Sequence, residues 1–150
     1  MVKKKRIIGI DYGVARIGVA FSDETKTIAS PLDVVKTEKK LDATIEKLLA
    51  LLELHQKEWG YEAERIVVGM PLMMSGKSGL IADEVNHFIQ KLSAMTPIPV
   101  VSWDERLTSV QAERTMRESN MSRKKRAQHV DKVAAAIILQ SYLDSLRTIL

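Results

Sequence analysis

The chain opens with short stretches rich in β-branched residues, a composition that predicts β-strands. Two of these stretches, Arg6–Asp11 and Arg16–Phe21, are separated by a segment in which Gly13 permits a turn. We therefore predict a β-hairpin. A third strand around Leu32–Val35, after Pro31, would extend the hairpin into an antiparallel meander.

Farther along, apolar residues recur every three or four positions, which is typical of amphipathic helices. The first predicted helix carries Leu41, Ile45, Leu48, Leu49 and Leu52 and ends near Gly60. A buried strand, Arg65–Gly69, precedes a second helix whose apolar positions are Leu80, Ile81, Val85, Phe88, Ile89 and Leu92. The next strand is Val100–Trp103. A strand, a helix and a strand in succession predict parallel pairing.

Two more helices are predicted in the last third of the chain. Thr108 and Gln111 have the spacing of a capping box and would open the third helix. The last helix would begin near Gln128, and its segment 133–139 is apolar on every side. Such a helix is expected to pack against a sheet.

Length and composition narrow the classes of protein. A chain of 150 residues is expected to form one domain, residues 1–150, and it contains no cysteine. Thiolate metal sites, cysteine nucleophiles and disulfides are therefore excluded. The longest apolar runs are too short to cross a membrane, and Asp11 interrupts the start of the chain before a signal-peptide apolar region could form. We expect a cytoplasmic protein with no membrane association.

Positive charge is concentrated at two places, although the net charge is only +4. One is Lys3, Lys4, Lys5 and Arg6, and the other is Arg123, Lys124, Lys125, Arg126 and Lys132. Basic clusters suit a polyanion such as nucleic acid, because neutralised phosphates release counterions. A frayed terminus and a solvated loop would have the same composition.

Carboxylates stand at the ends of several predicted elements. Asp11 ends an apolar strand, Asp104 and Glu105 end another, and Asp131 opens the apolar last helix. Converging carboxylates suit Mg²⁺ or Mn²⁺. Each also has a simpler explanation: Asp11 could bond the turn amides, Asp104 and Glu105 could pair with Arg106, and Asp131 could cap its helix.

Five segments together resemble the YqgF family, which comprises pre-16S rRNA nucleases and Holliday junction resolvase-like proteins. The segments are Ile8-Gly9-Ile10-Asp11-Tyr12-Gly13, Arg16-Ile17-Gly18-Val19-Ala20, Val67-Val68-Gly69-Met70-Pro71-Leu72, Asp104-Glu105-Arg106-Leu107-Thr108, and Val130-Asp131 followed by Ala-Ala-Ile-Ile-Leu-Gln-Ser-Tyr. They occur in the family's order and cover nearly the whole chain. The resemblance implies an α/β, RNase H-like fold with a five-stranded mixed sheet and helices on both faces.

The resemblance also implies a catalytic and metal-binding set, Asp11, Glu105 and Asp131, for metal-dependent phosphodiester hydrolysis. Two ions about 3.5–4 Å apart would activate water and stabilise the leaving oxygen. Asp11 would bridge both ions, while Glu105 and Asp131 would each hold one. Neighbouring residues of a strand face opposite ways, so Asp104 and Glu105 are not both expected in one site. The resemblance favours Glu105 and leaves Asp104 as the reserve.

Basic residues near this centre are expected to bind nucleic acid. Arg16 and Arg106 would hold phosphates of the cleaved strand, and Arg123, Lys124, Lys125 and Arg126 would bind backbone farther away. The implied partner is precursor rRNA, within a ribosomal subunit precursor, with branched DNA as the alternative. The loop that follows the segment ending in Pro71-Leu72 departs from the family pattern at Met73, Met74 and Ser75, where many relatives carry an asparagine and an acidic residue. His129 is a candidate for assisting proton transfer.

Three other functions are compatible with parts of the pattern. A Holliday junction resolvase would need a symmetric dimer, and the sequence does not distinguish a monomer from a homodimer. A non-catalytic nucleic-acid-binding module would not need the three acidic residues. A kinase or ATPase would use the Asp11-Tyr12-Gly13 turn for phosphate, but such enzymes resemble two copies of the fold, which 150 residues cannot supply.

Overall fold

The computed structural model describes residues 3–71, 80–105 and 123–147, with the side chains of residue 80 and residues 123–132 outside that description. The described elements are, in chain order, β1 (Lys4–Tyr12), β2 (Arg16–Ser22), β3 (Ala29–Lys36), α1 (Leu41–Trp59), β4 (Tyr61–Met70), α2 (Leu80–Met95), β5 (Val100–Asp104) and α3 (Arg123–Leu146). No helix among them is long and apolar enough to cross a membrane.

The strands form one mixed sheet in the order β3-β2-β1-β4-β5. β1 pairs antiparallel with β2, and β2 pairs antiparallel with β3. β4 pairs parallel with β1 on one side and with β5 on the other. The predicted meander and the predicted parallel pairing are both confirmed. β1 is thus the central strand at which the antiparallel and parallel halves meet.

The third strand is longer than its apolar residues predict. It begins at Ala29 and includes Pro31, which lies opposite Ala20 where the register of the β2–β3 pair shifts. Proline is tolerated there because β3 is an edge strand and the irregularity needs no ladder bond from its nitrogen. The local apolar pattern did not reveal this extension.

Two hydrophobic clusters lie on opposite faces of the sheet. Ile8 and Ile10 of β1 belong to the cluster that includes apolar residues of α1 and α2. Ile7 belongs to the second cluster, with Val67 of β4 and the apolar residues of α3. Alternation along β1 therefore gives each face its own helical layer. The predicted α/β arrangement with helices on both faces is confirmed.

α3 lies unusually close to the sheet because glycines line its path. A Cβ on Gly9 would lie 2.6 Å from Leu139 Cβ and 3.0 Å from the Ala135 carbonyl oxygen. A Cβ on Gly69 would lie 2.5 Å from Ile138 Cδ1. Glycine at these strand positions permits the close approach of the helix.

The last helix begins earlier than predicted, at Arg123 instead of near Gln128. The predicted start depended on where apolar residues begin, and the basic first turn carries none. Asp131 consequently lies eight residues inside α3, so the explanation that it caps the helix is wrong. The predicted helix opening at Thr108 lies outside the described residues.

The basic residues at the amino terminus do not form one exposed patch. Arg6 is only 12% exposed, its Nη2 lies 3.6 Å from Glu24, and its guanidinium packs against the rings of Phe21, Trp59 and Tyr61. Lys4 also pairs with Glu24, at 3.0 Å. Arg6 therefore has a structural role, contrary to the expectation that all four cations would be available to a polyanion.

His55 packs in this aromatic cluster, and its imidazole is the titratable group there whose pKa is expected to link protein stability to pH. Its Nδ1 shares a 2.7 Å hydrogen bond with the Tyr61 hydroxyl, and its ring lies 5.2 Å from that of Trp59. Burial, with a smaller contribution from the Arg6 charge, lowers the pKa of His55 below its ordinary value of 6.5. Burial also raises the pKa of the Tyr61 hydroxyl to about 12.

We expect the folded protein to lose stability as the pH falls from 6.5 through the lower pKa of folded His55. The unfolded chain binds the imidazole proton more readily than the folded chain does, so protonation favours unfolding. Urea unfolding at a series of pH values should show this loss in the wild type and a flatter profile in His55→Gln. Identical profiles would show that His55 does not titrate differently on folding.

Candidate nuclease site

Asp11 is the buried carboxylate at the carboxyl end of the central strand. It is 4% exposed and lies opposite Gly18 in the β1–β2 register. Ile7 and Gly9, four and two residues earlier, face α3, so alternation places Asp11 on the α3 face as well. A buried ionised group is costly unless it is paired, hydrogen-bonded or bound to a cation.

Glu105 approaches the same region from the neighbouring strands. It follows β5 directly, and its Cγ lies 3.2 Å from the position that a Cβ on Gly69 would occupy. Gly69 comes one residue after Val68, the β4 partner of Ile10, so it stands beside Asp11 in the sheet. Gly69 therefore leaves room for the Glu105 side chain on the α3 face, toward Asp11.

The backbone of Asp131 lies toward the same end of the sheet. It precedes Ala135 by four residues, and Ala135 lies over Gly9. Because α3 runs opposite to β4, with Ile138 over Gly69 and Tyr142 bonded to Arg65, its earlier residues lie toward the carboxyl ends of β1 and β4. The Asp131 Cα is thus about one turn, roughly 5.4 Å, farther along the helix in that direction.

Asp104 and Arg16 fall on opposite faces of the sheet. Val101 and Trp103 pack with the α3 cluster, so Asp104, the next residue, faces away from α3. Arg16 begins β2 two residues before Gly18, the partner of Asp11, and so lies on the α3 face at the site's end of the sheet. Glu105 and Asp104 therefore face opposite sides of the sheet, and the choice of Glu105 as the metal ligand stays a prediction.

Several predicted residues lie outside the described part of the chain. These are Arg106 and the loop residues Met73, Met74 and Ser75, together with the side chains of Arg123, Lys124, Lys125, Arg126, His129 and Asp131. Among the described side chains, no three histidines or carboxylates lie together as a metal-binding group. The assignment of Asp11, Glu105 and Asp131 to one metal site therefore stays a prediction.

Gly69 lies beside the candidate site, and the sequence predicts no role for it beyond its place in a family segment. Its signal is a glycine at the end of an otherwise large and buried run, Ile66-Val67-Val68. Glycine at such a position indicates that another group approaches the backbone closely. Here the approaching groups are the Glu105 and Ile138 side chains.

Residues 5–145 match the family described as "RuvX: Holliday junction resolvase". A protein of Protochlamydia amoebophila named "Putative pre-16S rRNA nuclease" is 58% identical over 143 residues, covering 95% of each chain. The chain belongs to the RuvX (YqgF) family. A relative of the same name from Caldanaerobacter subterraneus is 45% identical over 93% of this chain and 96% of its own.

Solved structures place this RuvX-family chain among proteins with the RNase H-like fold. Thermus thermophilus RuvC, solved with a Holliday junction, gives a TM-score of 0.56 at 16% identity and covers 96% of both chains. The fowlpox virus Holliday junction resolvase gives 0.52 at 13% identity, over 93% of this chain and 99% of its own. These similarities support the fold.

Proposed function

We propose that this RuvX-family chain is a divalent-metal-dependent endonuclease that hydrolyses phosphodiester bonds of precursor 16S rRNA at its 5′ end. The observation that carries the proposal is the buried carboxylate of Asp11, on the same sheet face and at the same sheet end as Glu105. The substrate is inferred from the names of the relatives. We also expect the chain to bind a precursor of the ribosomal subunit.

The donor set fits Mg²⁺ or Mn²⁺. Both described donors are carboxylates, the ligands that these hard cations prefer, and Gly69 lets the Glu105 side chain lie close against the sheet. Two like charges facing one buried region repel each other, and a cation would offset that repulsion. Asp11, Glu105 and Asp131 are the residues that would hold it.

The chain's own residues would bind and orient the substrate. The central strand fixes Asp11, and the packing beside Gly69 orients Glu105, so the two carboxylates require little rearrangement before the reaction. Arg16, on the same face, would hold a phosphate of the cleaved strand. Asp11, Glu105 and Asp131 would hold a divalent cation, which would supply Lewis-acid chemistry for the attack of water on phosphorus and the departure of the leaving oxygen.

The test is cleavage of three end-labelled substrates: unstructured single-stranded RNA, RNA with the 5′ precursor sequence of 16S rRNA, and a four-way DNA junction. Each is incubated with Mg²⁺, Mn²⁺ or EDTA. We expect cleavage of the precursor RNA with either metal and none with EDTA. Metal-independent cleavage, or binding of RNA without cleavage under every condition, would contradict the proposal; the second outcome would favour a non-catalytic binding module.

A Holliday junction resolvase is the second candidate function. The family description and the similarity of fold to two resolvases favour it. Junction resolution requires paired incisions and therefore a symmetric dimer. Selective, paired cutting of the four-way junction by a homodimer, with the precursor RNA left intact, would favour this candidate.

We expect the basic first turn of α3 to bind the nucleic-acid backbone. Replacing Arg123, Lys124, Lys125 and Arg126 with alanine should weaken RNA binding and make it less dependent on salt. The slope of log K against log salt is negative, and each lost phosphate contact makes it less negative by about 0.7 for single strands. The loss of four contacts therefore changes the slope by about 3. Filter binding or fluorescence anisotropy over a salt series measures the slope.

The matched control removes positive charge at the amino end of β1, away from Asp11. Lys3, Lys4 and Lys5 stand at the start of that strand, whereas Asp11 stands near its end. Replacing these three lysines with alanine should change the slope by less than 1. Equal changes in the two variants would show that net charge, and not the position of α3, governs the binding.

A further inference from the structure

Three consecutive polar residues in the second half of α3 bond to different parts of the sheet. We name Gln140, Ser141 and Tyr142 the α3 anchor. The Gln140 side chain accepts a hydrogen bond from the Ala29 backbone nitrogen at 2.9 Å and donates one to the Thr27 carbonyl at 2.9 Å. Gln140 therefore attaches the helix to the β2–β3 turn and the start of the edge strand.

The other two residues of the α3 anchor attach the helix to the parallel half of the sheet. Ser141 Oγ accepts a 3.0 Å hydrogen bond from Trp103 Nε1 of β5. The Tyr142 hydroxyl bonds to the Arg65 guanidinium of β4, and its ring meets Trp103 edge to face at 5.5 Å. Together, the three side chains reach from the β3 edge of the sheet to the β5 edge.

These bonds restrain the position of α3 along its own axis, relative to the sheet. The glycine contacts set the distance between helix and sheet, but apolar packing alone permits small sliding movements. Directed hydrogen bonds to three sheet segments oppose such sliding, because they weaken as their distances and angles depart from the ideal. Because an α-helix is stiff, a displacement at Gln140 would be carried to Asp131, nine residues and about 14 Å away.

We propose that the α3 anchor positions Asp131 for the divalent cation, and that Gln140 is a positioning residue for the nuclease site. This inference rests on the proposed function. It gives a physical role to the Leu-Gln-Ser-Tyr end of the last family segment, which the chemistry of the site leaves unexplained. Removal of a group hydrogen-bonded directly to a metal ligand typically changes metal affinity about 10–100-fold, and Gln140, which acts on Asp131 through the helix, is expected to have a smaller effect.

The test measures Mn²⁺ binding alone, by calorimetry without nucleic acid, well below the unfolding midpoint. Gln140→Ala should weaken Mn²⁺ binding by about threefold to tenfold, at or below the lower end for direct partners of metal ligands, because Gln140 acts through the helix. Tyr142→Phe, which keeps the ring and removes the hydroxyl, should weaken it in the same direction. The matched control is Ile45→Val, a small core deletion in the cluster on the opposite face. It should lower thermal stability without changing Mn²⁺ affinity.

A double-mutant cycle separates positioning from general stability. If Gln140 acts through Asp131, Gln140→Ala should cause no further loss of Mn²⁺ affinity in an Asp131→Asn background. Additive losses, or a Gln140→Ala protein that is less stable but binds Mn²⁺ as the wild type does, would overturn the inference alone. Failure of the wild type to bind Mn²⁺ would overturn the proposed metal site and the inference with it.

Discussion

Asp11→Asn is expected to slow metal-dependent cleavage of precursor RNA by at least about 100-fold, the loss typical of removing one preorganised electrostatic group. Asparagine has nearly the shape of aspartate and can still form hydrogen bonds at a buried position. It carries no charge, however, and so binds a divalent cation poorly. Initial rates at saturating Mg²⁺ and Mn²⁺ measure the loss, and far-ultraviolet circular dichroism checks the fold.

Metal-linked stability gives an independent measure of the same substitution. A ligand that binds only the folded state raises the unfolding midpoint. Mn²⁺ should therefore raise the midpoint of the wild type and leave that of Asp11→Asn unchanged. The matched control is Asp33→Asn on exposed edge strand β3, which should retain both activity and the Mn²⁺ response. Full cleavage by a folded Asp11→Asn protein would exclude Asp11 as a metal ligand.

Gly9→Ala is expected to destabilise the protein by about 3 kcal/mol, at the upper end for an added methyl group in a packed core. The new Cβ would meet Leu139 Cβ and the Ala135 carbonyl oxygen, neither of which can move without shifting α3. The helix would have to lift from the sheet and lose packing along its length. Urea unfolding monitored by tryptophan fluorescence measures the change.

Gly69→Ala is the informative comparison for that prediction. Its Cβ would meet Ile138 Cδ1, the flexible end of a side chain, so a rotamer change can relieve most of the conflict. We expect a smaller loss of stability than for Gly9→Ala, but a larger effect on metal binding, because Glu105 lies beside Gly69. Equal destabilisation by the two substitutions would mean that the backbone contact at Ala135 is not the decisive one.

Most of the fold could be predicted because its signals are local. The hairpin, the helix that ends at Gly60 and the strand–helix–strand unit each have a periodic pattern or a turn residue. The pattern of apolar residues did not predict element boundaries at places where few apolar residues mark them. The first turn of α3 is basic, and Pro31 lies in an edge strand whose irregular register tolerates it.

The candidate site was only partly predictable from the sequence. Alternation along a strand predicted that Asp104 and Glu105 face opposite sides of the sheet, but only the resemblance to the family favoured Glu105 over Asp104. The roles of Gly69 and Gln140 could not be predicted, because they depend on how closely α3 approaches the sheet and on contacts across more than 100 residues of sequence. The burial of Arg6 depends likewise on Trp59 and Tyr61, which the chain brings beside it only on folding.

The contact between Gly9 and Leu139 joins the two ends of the sequence, and it has a consequence for the order of events during synthesis. The strand that carries Asp11 emerges from the ribosome before every other described element, whereas the helix that covers it emerges after them. Until then the α3 face of the sheet, including Ile7 and Val67, has no cover. A nascent chain therefore cannot assemble the proposed site until α3 has emerged, which would delay any nuclease activity of the chain until that point.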